Sequence, residues 1–113
     1  MKIDDINHKM TMIRGDTEKF TVGWPENPFE TGDTVYFTVA KSYLDNHSLQ
    51  ITVTSFTQGI AEINIPHNAT AGMDVGRYVY DVRVVRANGD YVTIIGGPKD
   101  EPAVFVLVPE VTK

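Results

Sequence analysis

The sequence predicts an all-β domain of about seven or eight antiparallel strands, folded as a sandwich or a barrel. Three observations carry this. Apolar and polar residues alternate in one short run after another, the period of two that half-buried strands show. Turn signals separate those runs at intervals of about 8–12 residues. The longest run, Gly76 to Arg86, passes through Ala87-Asn88-Gly89-Asp90 into Tyr91 to Ile95. Asn-Gly between β-rich runs signals a hairpin with a two-residue type I′ turn, which needs positive φ at both central residues.

The elements follow in chain order. Residues 1–7 read as a loose lead-in, and Lys9 to Ile13 as a first edge strand. Arg14-Gly15-Asp16 turns the chain into Glu18 to Trp24, with Phe20, Val22 and Trp24 on one face. Pro25-Glu26-Asn27-Pro28 ends that strand, because proline offers the ladder no donor. Gly32-Asp33 opens a run in which Val35, Phe37 and Val39 alternate with Tyr36, Thr38 and Ala40. After Asp45-Asn46-His47, Leu49, Ile51 and Val53 alternate with polar residues; after Gln58-Gly59, Ala61, Ile63 and Ile65 do the same. The middle of the chain therefore reads as a three-stranded meander. Residues 66–75 break the pattern, with room for one short helical turn near Ala69 to Met73, and cross between sheets. The hairpin then places Tyr78, Tyr80, Val82 and Val84 on its core face. Residues 96–102 form a loop, and Ala103 to Val108 the last strand.

The chain of 113 residues suits one domain over 1–113, long enough to bury roughly two-thirds of its unfolded surface without covalent staples. It has no cysteine, which excludes disulfides and thiolate metal sites. The net charge is −5 and the basic residues are scattered, so no phosphate-binding stripe forms and nucleic acid is not an expected partner. No apolar run is long enough to span a membrane. The acidic opening, Met1-Lys2-Ile3-Asp4-Asp5-Ile6, lacks the apolar run of a signal peptide.

Residues able to do chemistry do not converge in the sequence. His8, His47 and His67 fall in turns or at strand starts, without metal-ligand spacing. No serine lies in a nucleophile elbow, and no glycine-rich loop precedes a helix. The expectation is a protein with no catalytic residue, metal or cofactor, and not an enzyme. Arg14-Gly15-Asp16 spells an integrin-read tripeptide, yet a turn is reason enough for Gly-Asp between strands. Asp81 stands mid-strand on the face opposite Tyr80, beside Arg83, either as a solvated pair or as a polar contact at a subunit interface. Among the aromatics, Trp24, Tyr78 and Tyr80 are expected in the core. Tyr36, Tyr43 and Tyr91 are expected at the surface, and with Asp81 and Arg83 they are the candidate interface residues.

One ordered set of motifs adds to this. Met12-Ile13-Arg14-Gly15-Asp16-Thr17, Phe20-Thr21-Val22 and Gly32-Asp33-Thr34-Val35-Tyr36-Phe37-Thr38-Val39-Ala40-Lys41-Ser42 come first. Gly76-x-Tyr78-x-Tyr80-Asp81-Val82, Thr93-Ile94-Ile95-x-Gly97 and Val106-x-Val108-Pro109-Glu110-Val111-Thr112 follow. Over roughly residues 10–112 this order resembles the domain at the N-terminus of upper baseplate proteins in phages of Gram-positive bacteria. The resemblance implies an immunoglobulin-like β-sandwich that is a structural, self-associating piece of a tail or baseplate. It implies other tail or baseplate proteins, and a second copy of the chain, as partners, and assembly in the bacterial cytoplasm into a virion. Upper baseplate proteins continue into further domains, whereas this sequence stops at Lys113, so a free-standing small tail protein is expected. The alternative is a β-sandwich module for carbohydrate or another cell-surface ligand.

Overall fold

A computed structural model describes residues 1–4, 7–42, 44–96 and 103–112. The strands are β1 (Lys2–Ile3), β2 (Met10–Ile13), β3 (Glu18–Gly23), β4 (Thr34–Ala40), β5 (His47–Val53), β6 (Ile60–Ile65), β7 (Gly76–Val85), β8 (Tyr91–Ile95) and β9 (Val104–Val108), with one helical turn, α1 (His67–Thr70). Seven strands form one sheet in the order β1-β2-β9-β7-β4-β5, with β8 also on β7, while β3 and β6 form a second sheet. Neither sheet closes on itself, so the barrel is excluded.

One core lies between the two sheets. Alternation sends Val35, Phe37 and Val39 of β4 and Ala61, Ile63 and Ile65 of β6 into one core cluster, and all six are fully buried. Phe37 gathers the rings of Phe20 on β3, Tyr80 on β7 and Phe105 on β9, with centroids 5.2, 5.6 and 6.4 Å away. Edge-to-face aromatic pairs add about 0.5–1.5 kcal/mol beyond area burial, and the Phe20 pair ties one sheet to the other. The Tyr80 hydroxyl donates to the carbonyl of His8, so the phenol is buried without a lost hydrogen bond.

The structure departs from the sequence expectations at four places. Residues 1–7 are not all a loose lead-in, since Lys2 and Ile3 pair with Thr11 and Met10. The strand at 10–13 is not an edge: it runs parallel to β9, Met10 opposite Phe105, so the large sheet is mixed rather than antiparallel throughout. Parallel neighbours cannot be joined by a hairpin, and most of the chain lies between these two. The meander stops at two strands, because β6 leaves β5 and pairs with β3 in the other sheet. A period of two shows which residues face the core but not which sheet a strand joins.

The fourth departure is the turn after β7. Arg86 N donates to Asp90 O at 2.8 Å and Gly89 N to Arg86 O at 2.9 Å, and Gly89 alone takes positive φ. Ala87-Asn88-Gly89 is thus a three-residue loop ending in glycine, not a two-residue type I′ turn. The two-residue form occurs at Gln58-Gly59 instead, where φ is 52° and 76° and Thr57 and Ile60 exchange backbone hydrogen bonds.

A polar clamp fixes the end of the molecule near that loop. Asp33 is 3% exposed, and its carboxylate accepts from Glu30 N at 2.8 Å and from Ala87 N at 2.9 Å. Arg86 stands 3.5 Å from the same carboxylate, donates to the carbonyls of Asn27 and Pro28, and lies 5.7 Å over the Trp24 ring. Replacing Asp33 by Ala strands two backbone donors and a cation around a buried site. The expected cost is about 3 kcal/mol in urea-induced unfolding; a loss below about 1 kcal/mol would show the clamp to be incidental.

Candidate interaction surface

The outer face of the large sheet carries the side chains that alternation turns away from the core. Three strands build its centre. Tyr36 on β4 stands opposite Arg83 on β7, Thr38 opposite Asp81, and Arg83 opposite Thr93 on β8. The Arg83 guanidinium lies 5.0 Å over the ring of Tyr91, which is 65% exposed. Gln50 on β5 donates to the Thr38 hydroxyl at 3.1 Å, continuing the polar row to the sheet edge. Toward β9 the face becomes apolar, with Val79 opposite Val104 and half-buried Val106 and Val108 beyond.

Four of the five candidate residues therefore lie on one face: Tyr36, Asp81, Arg83 and Tyr91. Tyr43 falls outside the described residues. Tyr36 is half-buried, whereas Tyr91 and Arg83 are exposed. As the alternation foretells, Tyr78 and Tyr80 are buried, and Trp24 packs half-buried against the core.

Asp81 borders an open groove of about 310 Å³ with Thr38, Ala40, Asp45, Asn46, His47 and Val79. Gly96 closes one flank of this residue: a Cβ there would lie 2.9 Å from the Asp81 Cα and 2.4 Å from the Tyr80 carbonyl oxygen. Only glycine lets β8 end so close to β7. Burial pushes the Asp81 carboxyl above the usual carboxylate range, and the charge of Arg83 offsets this only in part. No described residue donates a hydrogen bond to that carboxylate or stands in ion-pair contact with it.

The same groove holds Ser42, Asp45 and His47, the residue types of a hydrolytic triad. Their geometry is that of a turn. The Ser42 hydroxyl donates to Asp45 Oδ2 at 3.0 Å and accepts from Leu44 N, so it is committed to the β4–β5 connection and not to His47. Among the described residues no group of three His, Asp or Glu side chains is placed to hold a metal ion.

Arg14-Gly15-Asp16 is likewise spent on structure. The Arg14 guanidinium grips Glu110 through two hydrogen bonds, at 2.8 and 3.2 Å, and reaches the Met73 carbonyl. The pair raises the arginine pKa above its ordinary value. Gly15 N donates to the hydroxyl of Thr70, a fully buried threonine. Sequence reading missed both this tie and the Asp33 clamp, because each joins segments far apart in the chain. The only local hint was a Gly-Asp turn signal at each place.

In comparisons with known proteins, no family model and no curated protein matches the chain.

The shifted carboxyl of Asp81 sets a pH dependence. Its folded pKa lies above the unfolded value, about 3.9, so the native state binds that proton more tightly. Its contribution favours folding below the ordinary value and is lost as pH rises through the raised one. Asp81→Asn is therefore expected to match or exceed the native chain at pH 7 by up to about 0.5 kcal/mol, since partial exposure screens the penalty. It should show no such advantage in acid. Thermal unfolding at both pH values checks this, and a clear loss of stability at pH 7 would mean that the carboxylate has a stabilising partner.

Proposed function

We propose that this chain is a non-enzymatic structural component of a phage or prophage tail or baseplate, with the architecture of an immunoglobulin-like sandwich. It acts by protein–protein contact, and the outer face of the large sheet is the surface it uses. The observation that carries this is the cluster of Tyr36 and Tyr91 about Arg83, with Asp81 next to it along β7. Tyrosine and arginine are the side chains most enriched at interface centres, where rigid rings supply area and the guanidinium supplies directed donors. The half-buried Asp81 carboxylate offers acceptor sites that the described residues leave unused, which suits a donor from a partner. The layer assignment is compatible with the sandwich: β3 and β6 share one core with β4, β7 and β9 of the large sheet, as the two layers of such domains do. The ordered motifs from Met12 to Thr112 supply the tail and baseplate context.

The groove of about 400 Å³ beside Trp24, with Glu26 and Thr93 on its rim, favours a second reading as a carbohydrate-binding module. Aromatic rings stack on sugars while polar rim groups read hydroxyls.

Mass spectrometry of particles released by the host bacterium after prophage induction separates the two. Peptides of this chain are expected to co-purify with tail proteins in intact particles. Presence in the cells together with absence from the particles would sink the structural-component reading. Binding to a glycan array through Trp24 would then put the carbohydrate module in its place.

A further inference from the structure

Among the described residues, the large sheet ends on β5 with no strand along its outer edge. A bare edge presents unpaired N–H and C=O groups, and proteins blunt such edges with brevity, charge, proline or bulges. The other edges carry those devices. β1 has two residues and begins on Lys2. β3 opens with Glu18-Lys19, and β6 carries Glu62 and stops before Pro66. β8 has five residues, set between Asp90 and the positive-φ Gly96. β5 has seven residues, and between Asp45 and Glu62 the sequence contains no Lys, Arg, Asp, Glu or Pro. The register shift opposite Ala40 leaves Leu49 to Val53 in unbroken pairing with β4.

We infer that β5 is a homotypic pairing edge: a second copy of this chain adds its own β5 antiparallel across a two-fold axis, joining the large sheets of the two protomers. Charge selects the second copy as occupant. With a net charge of −5, two copies repel over most of their surfaces. Two-fold antiparallel pairing also sets a strand against its own residues, so charges on it would face like charges. β5 is the long edge that avoids this. A different protein would be steered and selected by complementary charge, and β5 has none to offer. Exposed Gln50 and Thr52 are polar on the outer face, while buried Leu49 and half-buried Ile51 and Val53 continue the apolar inner face. Pairing therefore extends both faces in kind. It also places two copies of the Tyr36/Arg83/Tyr91 surface on one continuous sheet.

The inference deepens the assembly role proposed above and rests on it for its use, but its test needs only the purified chain. Gln50→Lys with Thr52→Lys, and Gln50→Glu with Thr52→Glu, alter exposed positions only. Circular dichroism confirms that each variant keeps its β signal. Analytical ultracentrifugation over a rising concentration series should show the native chain self-associating. Each variant alone should associate about tenfold more weakly or worse, and an equimolar mixture of the two should recover association. A native chain that stays monomeric throughout overturns the inference. So do variants that associate like the native chain, or a mixture no better than either variant alone. A monomer found in particles would count against β5 pairing only, and a dimer absent from particles against the virion reading only.

Discussion

The register of β7 is the constraint on which the rest depends. This ten-residue strand pairs with β4 along one side, and with β9 and then β8 along the other. Its even-numbered residues from Tyr78 to Val84 are buried, and its odd-numbered residues from Arg77 to Val85 face outward. A slip of one residue against β4 would drive Asp81 and Arg83 into the core and carry Tyr80 to the surface. That error would place two charges among Phe37, Val35 and Phe105, at a cost of several kcal/mol per ion. A domain stable by about 5–15 kcal/mol does not tolerate it. The same register that fills the core therefore composes the outer surface, and neither changes without the other.

Polar residues divide into those that build the fold and those that are left over. Arg14 with Glu110, and Asp33 with Arg86, each join segments that meet only in the folded chain. Asp33 carries the larger share, because its carboxylate is buried and satisfies two backbone donors, whereas the Arg14 pair is about a quarter exposed on each side. Exposed pairs contribute about 0–1 kcal/mol, and breaking a buried one costs about 3–5 kcal/mol. Asp81 belongs to neither class. It is half-buried on a sheet face, loses solvation there, and receives no described hydrogen bond in return. A small cost of this kind, kept on an otherwise well-packed face, has a physical purpose if a partner supplies the missing donor.

Local alternation made the strands and their core faces legible: β4 and β7 read correctly residue by residue, including the outward positions of Asp81 and Arg83 opposite buried Tyr80. What was not legible depends on distant pairing. Nothing between Lys9 and Ile13 tells of β9, because the partner strand lies at the other end of the chain and parallel pairing leaves no turn signature. The run from Ile60 to Ile65 reads the same whether it continues a meander or crosses to β3. Asn88-Gly89 misled for a local reason: the Arg86–Asp90 pairing adds one residue to the loop and leaves glycine alone at positive φ. The adjacency of Arg83 to Tyr91 and of Gly96 to Asp81 arises from the β7–β8 register and its shift at Val82, which no single-strand pattern reveals.

The central claim is that the outer face of β7 and its neighbours is covered in the working assembly. Residue-level covalent footprinting compares the purified chain with the same chain in isolated particles, using carbodiimide for Asp81 and iodination for Tyr91. Glu62, an exposed carboxylate on the second sheet, serves as an internal reference for the carbodiimide. The account predicts that Asp81 and Tyr91 lose most of their reactivity in the particle while Glu62 keeps its own. Equal labelling of Asp81 and Tyr91 in both states would contradict it, and would mean that the face is open and the chain assembles through another surface.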